Sequence, residues 1–174
     1  MRIQLPVDGQ SQYTDNVRKK WQNSACGPTT AAIILDYLLP HESPKSINQL
    51  YKQLRTTRIG LFKYRFIRNL RKIVGPTWSV EGCSLDDALL ELREGRPVAI
   101  KFDRYFSFHF FLKPTFAYHW VPLIGYEETE NDVVLIIHDN GGRNRDSQIR
   151  EVSFQANRKV LSFVKMSPSS VREQ

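Results

Sequence analysis

Gly95 divides the sequence into two hydrophobic periods, and that change constrains the fold more than any other feature. Before it, apolar residues recur at helical spacing, and helices are predicted over about 28–39, 46–55 and 61–74, with a fourth from Ser84 to Gly95. After it come short β-rich runs bounded by turn residues: Pro97–Phe102, Ala117–Tyr126, Val133–His138, Ile149–Phe154 and Lys159–Met166. The aromatic stretch Phe106–Leu112 reads as a further strand, and Thr77–Val80 as a short one. Ile149–Phe154 and Lys159–Met166 alternate apolar with polar residues, as edge or half-buried strands do. Helices first and strands afterwards describe an α+β plan: a helical N-terminal half packed on an antiparallel β-sheet from the C-terminal half. With 174 residues, no repeat and no linker, the chain is expected to form a single domain over 1–174.

Local signals support the helix boundaries. Ser46 with Gln49 three residues on has the form of a capping box. Ser84 precedes Asp86 and Asp87, whose charges suit the first turn of a helix. Gly75-Pro76 ends the third helix, and Ser167–Gln174 reads as a frayed tail.

The stretch Ser24–Leu38 carries the first chemical signal. Cys26 stands in a short polar turn, followed by Gly27-Pro28 and an apolar run of helical length. Proline suits the first helical turn, so Cys26 falls at a helix N-terminus. The partial positive charge there favours thiolate over thiol. The other reading of a cysteine is a small buried hydrophobe, and that reading fits Cys83. Two cysteines are too few for a disulfide framework, and the pair is not assigned as one.

A nucleophilic cysteine needs a base and a group that orients it. His119 opens the predicted strand that ends at Tyr126, and Asp139 follows the next strand, Val133–His138. If Glu127–Asp132 is the loop of a hairpin, the start of one strand lies beside the end of the other, which places His119 near Asp139. His138 points to the opposite face from Asp139. His41 and His109 have no matching acid. A histidine packed under Trp120 and an aspartate bonded to its own Asn140-Gly141-Gly142 turn are the structural alternatives.

The ordered motifs Ala25-Cys26-Gly27-Pro28-Thr29-Thr30, His119-Trp120-Val121 and a strand ending at Asp139 resemble those of the C39-like peptidases, papain-like cysteine proteases. The resemblance covers Leu5 to about Gly142. It implies a papain-like fold with Cys26 as nucleophile, His119 as general base and later acid, and Asp139 as the orienting residue. It also implies a glutamine in the oxyanion hole. Many papain-like enzymes carry it six residues before the cysteine, where this chain has Lys20. The Leu5-Pro6-Val7 segment points instead to Gln10, with Gln12 and Gln22 left open. The implied activity is cleavage of a peptide or protein substrate through an acyl-enzyme. Acyl transfer on the same fold is the alternative within enzymes.

Composition adds fewer constraints. The chain carries a net charge of +7. Its basic residues gather in Lys52–Lys72 with interleaved aromatics, so a catalytically inactive module binding an anionic partner is the reading from another class. No nucleic-acid-binding signature accompanies the charge, and helical spacing also explains the aromatics as core residues. No metal site, phosphate loop or other cofactor motif is legible. No apolar stretch is long enough to span a membrane, and Met1–Val7 is too short and polar for a signal peptide. The sequence as written reads as cytoplasmic, or as secreted if a leader has been removed.

Overall fold

A computed structural model describes residues 1–42, 44–109 and 111–169. The N-terminal half supplies β1 (Arg2–Gln4), a short 3-10 turn at Gln22–Ser24, α1 (Cys26–Leu38), α2 (Ile47–Gln53), α3 (Lys63–Val74), β2 (Trp78–Cys83) and α4 (Leu85–Arg93). The C-terminal half supplies β3 (Val98–Asp103), β4 (Tyr118–Glu128), β5 (Val133–Asp139), β6 (Gln148–Ser153), a single helical turn α5 (Phe154–Asn157) and β7 (Leu161–Pro168). The strands form one antiparallel sheet of order β2-β7-β3-β4-β5-β6, with β1 paired to the far end of β4. The α+β plan therefore stands, although β1 and β2 extend the sheet with strands from the first half.

The expected capping box at Ser46 forms, and the Ser84 cap proves to be a second one. Ser46 accepts from Gln49 N–H while Gln49 reaches back, and Ser84 and Asp87 do the same. Each satisfies backbone donors that a helix start leaves unpaired. The first helix starts at Cys26 itself, two residues before the predicted boundary, with Pro28 in its first turn.

Helices cover both faces of the sheet. On one face α1, α2 and α3 bury Ile34, Leu50, Leu54, Phe66 and Leu70 with Trp120, and the Phe66 and Trp120 rings stack at 4.6 Å. On the other, Ala88, Leu89 and Leu92 of α4 pack with Ile100, Phe102, Val121, Leu123 and Ile137. Burial of this apolar surface is the main favourable term holding the layers together.

A bulge in β4 decides which way the start of that strand faces. Tyr126 pairs with Leu135, but Leu123 pairs with Ile137, a shift of one residue between Leu123 and Gly125. Alternation from Tyr126 alone would turn Trp120 toward the α4 face and His119 away from it. The extra residue reverses that parity, so His119, Val121 and Leu123 share a face with Ile137 and Asp139. Gly125 at the bulge also lets β1 approach, since a Cβ there would stand 2.2 Å from the Ile3 carbonyl oxygen.

One strand expectation changes. The described residues of 104–112 form turns, closed by His109 N–H to Arg104 O and Leu112 N–H to His109 O, so they make no strand. Phe110 in that stretch, and Ser170–Gln174 of the expected tail, lie outside the described residues. Lys159–Met166 corresponds to β7, which is half-buried, as one of its two expected readings had it, and lies between β2 and β3. Its polar Lys165 is carried outward to Glu81, 3.4 Å away.

Candidate active site

Cys26 is the first residue of α1, and His119 and Asp139 stand at the neighbouring ends of β4 and β5. The Cys26 side chain is buried, and its interaction with His119 favours the thiolate. His119 Nε2 lies 3.1 Å from Asp139 Oδ1, which leaves Nδ1 as the ring nitrogen turned to the sulfur. The structure thus brings Cys26, His119 and Asp139 into one connected group. Phe116 packs against the His119 ring at a centroid distance of 4.8 Å and limits its swing.

The electrostatics of the three are coupled. Burial raises the Cys26 thiol pKa, but the hydrogen bond and charge of His119, with the backbone of Trp120 and Gly27, outweigh it and leave the thiol below its ordinary value. Burial disfavours the charged form of His119, yet hydrogen bonds to Asp139 and Cys26 raise it to about 9. Burial likewise opposes ionisation of Asp139, and the His119 bond with Arg150 and Arg145 overcomes it, to about 2. All three shifts favour the charged forms, a thiolate beside an imidazolium beside a carboxylate, the arrangement that activates a cysteine.

Three side chains that the sequence did not single out complete the surroundings. Arg145 and Arg150 reach Asp139 Oδ2 at 2.8 and 3.2 Å, opposite the oxygen used by His119. Asn140 is fully buried, and its amide nitrogen is 3.0 Å from the Cys26 carbonyl, 2.9 Å from the Trp120 carbonyl and 3.1 Å from Thr30 Oγ1. It ties the first turn of α1 to the strand that carries His119. Asn140-Gly141-Gly142 reads in sequence as a turn, and no local signal distinguishes a turn asparagine from a buried clamp.

The glutamines separate clearly. Gln10 donates its amide to Asp36 Oδ2 at 2.8 Å. Asp36 lies ten residues along α1 from Cys26, about 15 Å at the helical rise, so Gln10 is turned away from the sulfur. Gln22 donates to the carbonyls of Tyr13, Thr14 and Val17 and holds the preceding loop. Gln12 is buried beside the group: its backbone N–H donates to Asn140 O at 3.0 Å, and its amide to Gln22 O at 2.7 Å. Of the three glutamines, Gln12 is therefore the one bonded to Asn140, whose side chain bonds the Cys26 carbonyl.

The remaining candidates lie apart. Cys83 is a free thiol raised to about 11 by burial and by Asp87. The His138 ring lies under Gly9, where an added Cβ would stand 1.9 Å from Cε1. Among the described residues no cluster of His, Cys, Asp or Glu could hold a metal ion, and no helix is long and apolar enough to cross a membrane.

A buried cysteine at a helix start, facing a histidine on an antiparallel sheet, places the protein among papain-like folds. The chain belongs to the Peptidase_C39 like family, whose model matches residues 4–171. Solved structures agree in fold. A putative C39-like peptidase from Bacillus anthracis has a TM-score of 0.57 at 14% identity, covering 97% of this chain and 100% of that one. The peptidase domain of Streptococcus ComA, a bi-functional ABC transporter, has a TM-score of 0.53 at 16% identity, covering 84% of this chain and 93% of that domain. UfSP from C. elegans has a TM-score of 0.61 at 12% identity, covering 97% of this chain but 34% of the longer protein. No curated protein matches the sequence.

Proposed function

We propose that the protein is a cysteine peptidase that hydrolyses an amide bond through an acyl-enzyme on Cys26. The observation that carries this reading is the grouping of buried Cys26 with His119, whose ring nitrogen lies 3.1 Å from Asp139. The Cys26 thiolate attacks the carbonyl carbon, and the carbonyl π pair moves to oxygen. The imidazolium of His119 then gives its proton to the departing nitrogen as the C–N bond breaks. His119, now neutral, takes a proton from water, the resulting hydroxide attacks the thioester, and the thiolate leaves. Asp139 holds the ring by Nε2 throughout, so Nδ1 faces the reacting atoms.

The tetrahedral oxyanion needs donors placed before the reaction. The backbone N–H of Cys26 belongs to the first helical turn, where amides have no partner within the helix. Gln12 is the side-chain donor in this proposal, because Gln10 is bonded to Asp36 and Gln22 to three carbonyls.

Alkylation by iodoacetamide at neutral pH, followed by peptide mapping, tests the activated thiol. Cys26 is expected to react at least about tenfold faster than Cys83, and Cys26→Ala to abolish cleavage of a mixed peptide pool. Equal, slow labelling of the two cysteines would sink the proposal.

A further inference from the structure

We infer that a second surface, built from α3 and the described residues of 104–112, docks on anionic lipid membranes. Residues 43–80 contain no Asp or Glu, yet Lys45, Lys52, Arg55, Arg58, Lys63, Arg65, Arg68, Arg71 and Lys72 fall within them. Among the described residues, no ion pair involves any of these cations. The core takes Phe66, Asn69 and Leu70 of α3, while Arg68, Arg71 and Lys72 stay exposed. That leaves a positive field with no directly paired acid among the described residues.

Large apolar side chains are exposed in the two loops beside these cations. Phe111 is 100% exposed, Phe108 81% and Ile59 64%, values unusual for side chains that size. Phe108 is held in a left-handed backbone conformation, φ 59°, which few non-glycine residues adopt. The loop is anchored at its base, with Phe106 N–H on Asp103 Oδ1 at 2.8 Å and Arg104 N–H on the Ala117 carbonyl at 2.9 Å. It is also joined to the start of α3. Phe106 packs edge-on against Phe62 at 5.3 Å, and the Arg65 guanidinium lies 5.7 Å from both Phe62 and Tyr64. Cations and exposed aromatics are therefore one contiguous feature.

Charge complementarity selects an anionic occupant, and the apolar side chains choose among anionic ones. Single-stranded nucleic acid stacks on aromatic platforms along a basic groove. Here the most exposed aromatics, Phe108 and Phe111, stand in a loop and not along a groove, with the aliphatic Ile59 in the loop just before α3. An anionic bilayer offers acyl chains for such side chains and headgroup phosphates for the cations around them.

Sedimentation of the full chain with phosphatidylcholine vesicles, alone or with about one-third phosphatidylserine, tests this. Binding to the phosphatidylserine vesicles is expected to be at least about tenfold tighter than to phosphatidylcholine alone and to weaken with added salt. The triple variant Arg58→Gln, Arg68→Gln, Lys72→Gln and the double variant Phe108→Ser, Phe111→Ser should each lose about tenfold or more. Should the double variant not fold, Phe111→Ser alone carries the same test. Wild-type binding by either variant overturns the inference. So does the absence of vesicle binding, or salt-sensitive binding to an oligonucleotide without it. Sedimentation reads no chemistry at Cys26, so its outcome and that of the peptidase proposal are independent.

Discussion

The Asn140 side-chain amide and the Cys26 carbonyl meet at 3.0 Å, and both residues are buried. The same amide holds the Trp120 carbonyl at 2.9 Å, one residue from His119. One side chain thus fixes the spacing between the elements that carry the sulfur and the imidazole. We expect Asn140→Ala to cost about 2–3 kcal/mol, because the Trp120 and Cys26 carbonyls stay buried and lose a donor. As a positioning residue it should also lower kcat with KM little changed and raise the pH at which Cys26 becomes alkylatable. Asn157→Ala removes a comparably buried amide, bonded to Thr115 and Ser153, and should lower stability in urea without moving that pH limb. Equal limbs in wild type and Asn140→Ala would leave Asn140 a purely structural clamp.

The ionised group sets the pH range of stability. His119 rises from 6.5 to about 9 on folding. Its contribution is therefore complete below about 6.5 and is lost as pH rises through about 9. Asp139 falls from 3.8 to about 2, so its contribution is complete above about 3.8 and is lost as pH falls through about 2. Urea unfolding followed across pH should show stability decline in both directions outside that interval. The alkaline limb of peptide cleavage should fall near pH 9, where His119 loses the proton it gives to the leaving amine.

Arg145 and Arg150 modify that limb. Both guanidinium groups sit on Asp139 Oδ2, and both are part-exposed. Their positive charge opposes the imidazolium at the other oxygen. The double variant Arg145→Ala, Arg150→Ala should shift the alkaline limb of cleavage upward, and should move the acid limb of stability upward as Asp139 returns toward 3.8. Titration of the His119 ring protons by NMR checks the first shift. An unchanged ring pKa would separate the arginines from the site.

Gly27 sits where the helix start meets the segment before α3. A Cβ there would stand 2.7 Å from Leu61 Cδ2 and 2.8 Å from Leu61 Cβ. Leu61 is buried, and its carbonyl accepts from Trp120 Nε1 at 2.8 Å and from Tyr118 OH at 3.0 Å, so it has little room to yield. Gly27→Ala should therefore cost about 1–3 kcal/mol by overpacking, read in thermal or urea unfolding. A change below about 0.5 kcal/mol would show that the segment moves freely.

Local chemistry was legible in the sequence, and tertiary placement less so. Ser46 with Gln49, Ser84 with Asp87, and Cys26 before Gly27-Pro28 act within a few residues, and each appears where the sequence puts it. The hairpin argument brought His119 near Asp139, but the face they share depends on a bulge at Leu123/Gly125 that no turn residue announces. Arg145, Arg150 and Asn140 act on the site from the turn and strand after Asp139, and nothing in their local sequence reports which carboxylate or carbonyl they meet. The aromatic stretch 104–112 has strand composition, but its described residues close backbone hydrogen bonds within the loop.

The contrast between Gln10 and Gln12 offers a direct comparison within one loop. If the Gln12 amide stabilises the oxyanion, Gln12→Ala should reduce kcat by about 10²–10³ while KM changes little, the pattern of a donor that acts on charge developed in the transition state. Gln12 is buried and also bonds Gln22 O, so unfolding must be measured alongside to separate collapse of the loop from loss of the donor. Gln10→Ala removes a bond to Asp36 on the distant half of α1, and should leave kcat within about twofold of wild type. Gln12→Glu adds a second comparison. A carboxylate offers the oxyanion no donor at neutral pH and repels it, so this near-isosteric variant should be at least as impaired as Gln12→Ala. Full activity in Gln12→Glu would remove Gln12 from the oxyanion hole and leave the Cys26 backbone N–H as the donor still to be paired.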